Sequence, residues 1–379
     1  MVLKGKKIAL VHDFLVAYGG AERVFEAIAE MFPDAPIYTL LYDQERMGAH
    51  FQGRDIRVSW LGKLPRFLKK RYRWLLLLFP VAVESFDLRD FDVVISSSGA
   101  WSKGIVTRLN TKHIAYLHSP MRYAWDYHEQ YLGELRARGT FNILTRMLMS
   151  YLRVWDRQAA ERPDMLLVNS RFTQARVEKY YRRESAVAYP GALDLSLKTK
   201  QLVAGAVPAE RKNFLVVSRL TRSKKVAPVI EAFNKLGFPL VIVGDGPERE
   251  ALERMALPHI RFAGFVSDEE LAKLYRGARA VIFPSEEDFG MVAAEALSFG
   301  TPVIAYEYGG IREIVSAGVT GEFFHAQTPE LIAEGVRRFL GNEGTYDRAA
   351  IERSVAHLTK VSFQSGIRNA VEKIREQAD

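Results

Sequence analysis

The feature that most limits what this chain can fold into is the alternation of short aliphatic runs with segments of helical period. IALVHDF, DVVISSS, HIAYLH and MLLVNS recur through the first half, and NFLVVSRL, LVIVGDG, IRFAGFV, AVIFPS and PVIAYE through the second. Such near-continuous β-branched and aliphatic runs suit strands buried on both faces, and the helical segments between them supply the crossovers that parallel strands need. Repeated in both halves, the rhythm predicts an α/β chain of two Rossmann-like, doubly wound domains. A length of 379 residues agrees, since one hydrophobic core seldom organises so much chain. We place an N-terminal domain at 1–195, a linker at 196–211 where the sequence turns polar and aperiodic, and a C-terminal domain at 212–361. The remaining residues, 362–379, read as a helix able to pack back on the N-terminal domain.

No cysteine is present, which excludes disulfides, thiolate metal sites and a Cys nucleophile, and fits a cytoplasmic setting. The first apolar run is interrupted by His12 and Asp13 and reads as a strand, not a leader peptide. The longest apolar stretch, Trp74 to Val83, falls well short of the ~20 residues that span a bilayer. The net charge of +8 belongs to the first half, with 29 Lys and Arg against 21 Asp and Glu up to Asp194 and 24 against 24 beyond it. Nucleic acid, anionic lipid or an acidic substrate could face such a half, or the charge could serve solubility alone. No nucleic-acid recognition motif accompanies it, so nucleic acid is not expected as a partner.

In open α/β sheets ligands bind at the carboxyl ends of strands, where helix N-termini favour anions. The motifs fall at such places. In AVIFPSEEDFGMVAAEALSFGTP a buried strand runs into an acidic loop, and a helix begins near Gly290. Glu287 in the loop and Glu295 in the helix could face one ligand, or be solvated and locally paired. In VVSRLTRSKK, Arg219 and Lys224 stand five apart at a strand end, suited to a diphosphate but also to ordinary surface charge. Gly19 and Gly20 let backbone amides approach a phosphate at a helix start, or form a plain turn. The absence of G-x-G-x-x-G argues against a nicotinamide enzyme. His118 ends the strand HIAYLH in a Pro-containing loop, with Arg122 and Asp126 as neighbours, and His12 and Asp13 end the first strand. Asp90-Phe91-Asp92 precedes a strand and reads as a turn, and no His or acidic cluster has metal-ligand spacing, so no metal or other cofactor is expected. Residues 63–79 combine Lys63, Arg66, Lys69, Lys70, Arg71 and Arg73 with Phe67, Trp74 and four leucines, as in a segment lying on anionic lipid or a buried helix with snorkelling cations.

The spacing of Glu287 and Glu295, with Gly300, Thr301 and Pro302 behind them, resembles the E-x7-E motif of retaining GT-B glycosyltransferases of family four, the glycogen-synthase-like branch. Arg219 and Lys224 resemble that family's G-R-L-x-x-x-K-G, with Ser218 and Lys225 in place of its glycines. The loop at Gly19 and Gly20 resembles its GG-x-E, and HSPMR its H-x-P-x-R. The resemblance implies two Rossmann-like domains facing a cleft and sugar transfer from a nucleotide-sugar donor, with acceptor binding by the first domain. It implies that His118, Glu287, Arg219 and Lys224 serve the reaction. Gly20, Gly244, Val266, Phe289, Gly290, Met291 and Glu295 would contact the donor, while His12, Asp13, Gly19, Arg122 and Asp126 are acceptor or cleft candidates. Asp288 departs from the usual Gly, and Met291-Val292-Ala293 from Leu-Pro-Pro. HSPMRYAWD and EEDFG are similar to bacterial O-antigen mannosyltransferases, which makes GDP-mannose the expected donor and a UDP-sugar the alternative. A polyprenyl-diphosphate-linked glycan is the expected acceptor, met at the inner face of the plasma membrane. A sugar-nucleotide epimerase is the rival of like architecture, disfavoured by the paired cations and carboxylates.

Overall fold

The computed structural model describes residues 5–64, 75–129, 133, 143–192, 194–199 and 211–376. Two compact units divide the chain: Met1–Tyr189 with Phe363–Asp379, and Pro190–Ser362.

In the first unit the order is β1 (Ile8–Leu15), α1 (Gly20–Met31), β2 (Ile37–Tyr42), α2 (Gln44–Met47), β3 (Ile56–Val58), α3 (Phe79–Glu84), β4 (Val93–Ser98), β5 (Lys112–Leu117), α4 (Ile143–Glu161), β6 (Met165–Val168), α5 (Arg171–Tyr181) and β7 (Ala186–Val187). The strands form one parallel sheet, β3-β2-β1-β4-β5-β6-β7, whose order reverses between β1 and β4. Successive side chains of a strand point to opposite faces, and both faces are covered. Leu10, Ile95 and Ile114 pack with Phe25 and Ile28 of α1 on one side, whereas Val11 and Val94 pack with Phe79, Val83, Trp101 and Trp155 on the other. That is why these strands read as apolar runs without alternation.

The second unit holds α6 (Asp194–Thr199), β8 (Phe214–Val217), α7 (Val226–Leu236), β9 (Leu240–Val243), α8 (Arg249–Met255), β10 (Ile260–Gly264), α9 (Asp268–Gly277), β11 (Val281–Phe283), α10 (Met291–Ser298), β12 (Val303–Tyr306), β13 (Gly321–Phe324), α11 (Pro329–Asn342) and α12 (Arg348–Ser354). Its parallel sheet has the order β10-β9-β8-β11-β12-β13 and reverses between β8 and β11. Phe214, Val216, Ile242 and Ile282 meet Ile230, Phe233 and Phe339 in its core, each fully buried side chain contributing on the order of 1.5–3 kcal/mol.

Of the segment read as a linker, residues 200–210 lie outside the described residues, while α6 groups with the second unit and buries Leu195 and Thr199. The final helix, α13 (Lys360–Glu376), sets Phe363, Ile367, Val371 and Ile374 into the core of the first unit. Phe363 meets the Tyr116 ring edge-on at 5.3 Å, and Gln364 Nε2 donates to the Ala27 carbonyl at 2.9 Å. Residues 65–74 of the basic, leucine-rich segment lie outside the described residues.

Candidate functional site

In the first unit, β1, β4 and β5 are neighbours, and their carboxyl ends bring polar groups together. His12 is 2% exposed and stacks on Phe25 at 4.6 Å. Its Nδ1 lies 3.1 Å from both the carbonyl oxygen and the hydroxyl of Ser97, and that hydroxyl lies 2.8 Å from Nε2 of half-buried His118. Glu22 Oε1 stands 3.6 Å from His12 Nε2. Asp13 faces the next loop instead, where its carboxylate accepts the amides of Gly99 (2.9 Å), Ala100 (2.7 Å) and Ser102 (2.6 Å) and the Ser102 hydroxyl. Charge-assisted bonds of this number clamp the loop after β4 onto β1.

Gly19, extended, caps α1, and Gly20 opens it. Glu22 Oε2 stands 3.1 Å from where a Cβ on Gly19 would be, which puts a carboxylate of this chain beside the opening turn of α1. Arg122 lies in a one-turn 3-10 helix with its guanidinium 5.5 Å from the Tyr127 ring centre. Asp126 pairs with Arg176 and accepts from the Tyr180 hydroxyl, and Arg176 Nη1 donates to Ser119 Oγ at 2.9 Å.

A group that sequence reasoning missed lies beneath these loops. Lys103 Nζ is 2.5 Å from Asp156 Oδ1, both side chains being 0% exposed, and Lys103 also donates to the Ala100 carbonyl. Asp156 further accepts from Trp125 Nε1 at 2.8 Å and from the Tyr181 hydroxyl at 2.7 Å. Burial, with the Asp156 charge, pushes the Tyr181 phenol far above its ordinary pKa. The pair joins the loop clamped by Asp13 to the turn that follows His118. A lone Lys and a lone Asp 53 positions apart leave no periodic trace in the sequence.

In the second unit the loops after β8, β9 and β11 converge. Lys224 Nζ donates to Glu287 Oε1 at 2.6 Å, and Ser285 Oγ donates to the same oxygen at 2.9 Å. The Glu287 backbone is bridged to Gly309, and its carbonyl accepts the Gly310 amide at 3.0 Å. A Cβ on Gly309 would lie 2.2 Å from the Glu287 carbonyl oxygen, and one on Gly310 2.1 Å from that of Asp288, so the Gly-Gly pair is what lets the acidic loop sit so close. Asp288 is buried and lies outside the left-handed region.

Arg219 is exposed on the loop after β8. Gly244, at φ 118°, and Gly246 hold the loop after β9 against it, where added Cβ atoms would meet the carbonyl oxygens of Ser218 and Leu220 at 2.0 and 2.3 Å. Glu295 is 4% exposed and accepts from the Tyr275 hydroxyl at 3.0 Å, a different partner from that of Glu287. Phe289 is buried, Gly290 caps α10 at φ 99°, and Met291 and Val266 are half-buried at the starts of α10 and of the loop after β10. Among the described residues no helix is long and apolar enough to cross a membrane.

Family models account for both units. The model described as Glycosyltransferase Family 4 matches residues 18–194, and that described as Glycosyl transferases group 1 matches residues 198–354. The chain belongs to the GT-B glycosyltransferases of this group 1 and family 4 type. An uncharacterized glycosyltransferase of Methanocaldococcus jannaschii is 36% identical over 169 residues, covering 41% of this chain and 43% of that protein. The D-inositol 3-phosphate glycosyltransferase of Corynebacterium urealyticum is 28% identical over 253 residues, 59% of either chain. The chain thus spans about half the length of the curated relatives it matches. Anabaena HepE, solved in complex with UDP and glucose, superposes with a TM-score of 0.67 over 97% of this chain and 99% of its own, at 19% identity, a likeness of fold.

Proposed function

We propose that this chain is a retaining hexosyltransferase, its second unit holding a nucleotide-sugar donor and its first an acceptor. The observation that carries the proposal is the Lys224–Glu287 pair, buttressed by Ser285 and set by Gly309 and Gly310 at the carboxyl ends of the sheet. A diphosphate arriving at Arg219 and Lys224 competes with Glu287 for the ammonium. Once released, the Glu287 carboxylate accepts sugar hydroxyls. As the glycosidic bond breaks, negative charge grows on the leaving nucleoside diphosphate, and fixed donors there are commonly worth ~3–4 kcal/mol of barrier each. Glu295, buried beside Tyr275, is assigned to the ribose. His118 is assigned to the sugar near its reacting carbon.

For the donor we propose GDP-mannose, on the likeness of the His118 and Glu287 motifs to mannosyltransferases. The UDP-glucose complex of HepE supports the UDP-sugar reading. For the acceptor we propose a polyprenyl-diphosphate-linked glycan at the inner face of the membrane. Its support is the outward face of α4, where Ile143, Met147, Tyr151 and Val154 are exposed at helical spacing beside exposed Arg146 and Arg157, an apolar and cationic surface suited to anionic lipid.

The test is transfer from GDP-mannose, UDP-glucose and UDP-N-acetylglucosamine to a polyprenyl-linked glycan in the presence of EDTA, with the product anomer read by NMR. A retained anomer formed from one donor is expected. An inverted anomer, or turnover that EDTA abolishes, overturns the proposal as stated, and product from a UDP-sugar alone replaces the mannosyl donor.

A further inference from the structure

β1, which carries His12, and β5, which His118 follows, lie on either side of β4, and Ser97 of β4 stands between the two rings. The acceptors around His12 decide where its protons sit. The Ser97 carbonyl oxygen, 3.1 Å from Nδ1, can only accept, and so can the Glu22 carboxylate facing Nε2. Stacked on Phe25 and almost wholly buried, the ring is held with Nδ1 against Ser97. A bare Nδ1 would set its lone pair against that carbonyl, so Nδ1 carries a hydrogen. The Ser97 hydroxyl, also 3.1 Å from Nδ1, then has no acceptor in His12, and its hydrogen is left for His118 Nε2 at 2.8 Å. Neutral His118 must consequently keep its own proton on Nδ1. Protonating His12 at Nε2 toward Glu22 leaves Nδ1 a donor and changes nothing downstream.

We infer that His12 is a positioning residue which, through Ser97, holds neutral His118 in the Nδ1–H form. His118 then offers Nδ1–H as a hydrogen-bond donor and does not act as a base. The inference rests on the proposed role of His118 but can be read without any turnover. The experiment is long-range 1H–15N correlation on the full chain labelled with 15N-histidine, His118 being assigned by comparison with His118→Gln. The expected spectrum shows an unprotonated Nε2 and a protonated Nδ1 on neutral His118. Ser97→Ala is expected to shift His118 toward Nε2–H and to lower kcat about tenfold with KM little changed, the effect of about one hydrogen bond in the transition state. His12→Asn, whose amide nitrogen can replace Nδ1–H, should keep the tautomer and most of kcat, whereas His12→Phe should lose both.

A wild-type His118 protonated on Nε2, or a tautomer unmoved by Ser97→Ala, overturns the inference. The expected tautomer in a protein that transfers no sugar from any donor counts instead against the proposed function.

Discussion

At the scale of single residues, Lys225 carries a measurable cost. It sits at φ 52° and ψ 39°, a left-handed conformation that L-residues avoid by roughly 1–2 kcal/mol. The resembling motif has glycine at this position, and the geometry gives the reason. Lys225→Gly is expected to raise the free energy of unfolding by about 1 kcal/mol in a denaturant titration, after glycine's own entropy loss is set against the relieved strain. An unchanged or lower value would show that Lys225 is unstrained. Arg219, Lys224, Glu287 and Glu295 were all legible as candidates, because charge at a strand end followed by a helix is a local pattern. Their pairing was not. Lys224 and Glu287 are 63 positions apart, and only the folded sheet brings the loops after β8 and β11 together.

At the scale of elements, the buried strands were readable because burial on both faces makes continuous apolar runs; the side-chain caps Ser170, Ser267 and Thr328 that open three of the helices came only from the structure. α6 was not readable, since six residues are too few to show a helical period. Nor was the Lys103–Asp156 pair, which ties the loop after β4 to α4. Removing one partner leaves an unpaired buried charge, so Asp156→Leu alone should lose about 3–5 kcal/mol, while Lys103→Met/Asp156→Leu together should recover most of it. A double variant as unstable as the single would show that the hydrogen bonds from Trp125 and Tyr181 outweigh the ion pair. His113 of β5 adds a pH dependence. Full burial, with the Arg162 charge, pushes it down to about 3 from an ordinary 6.5, and Ser96 Oγ lies 2.8 Å from its Nε2. The unfolded chain therefore binds a proton that the folded chain refuses between these values. Stability is full above about pH 6.5 and falls as pH drops toward 3. Denaturant midpoints measured from pH 7 to pH 4 should fall more steeply for the wild type than for His113→Asn, and parallel curves would remove His113 as the cause.

At the scale of the whole molecule, two parallel sheets were legible from repetition alone, whereas the return of α13 to the first unit could be stated only as an option. Its buried face, Phe363, Ile367, Val371 and Ile374, has helical spacing but names no partner. The outward face of α4 predicts a further property. Co-sedimentation with anionic vesicles at low salt should exceed that with neutral vesicles, and Met147→Glu/Val154→Glu should bring the two recoveries together. Equal recoveries for the wild type would remove the membrane from the account.

The central claim, a nucleotide-sugar site in the second unit built on Lys224 and Glu287, is tested most directly by calorimetric titration of GDP and UDP into the wild type and Lys224→Ala. Loss of one charged hydrogen bond, about 1.5–3 kcal/mol, should weaken binding of the favoured nucleotide roughly 10- to 100-fold in Lys224→Ala, with its thermal unfolding otherwise unchanged. Equal affinity in the two proteins, or a wild type that binds neither nucleotide, would contradict it.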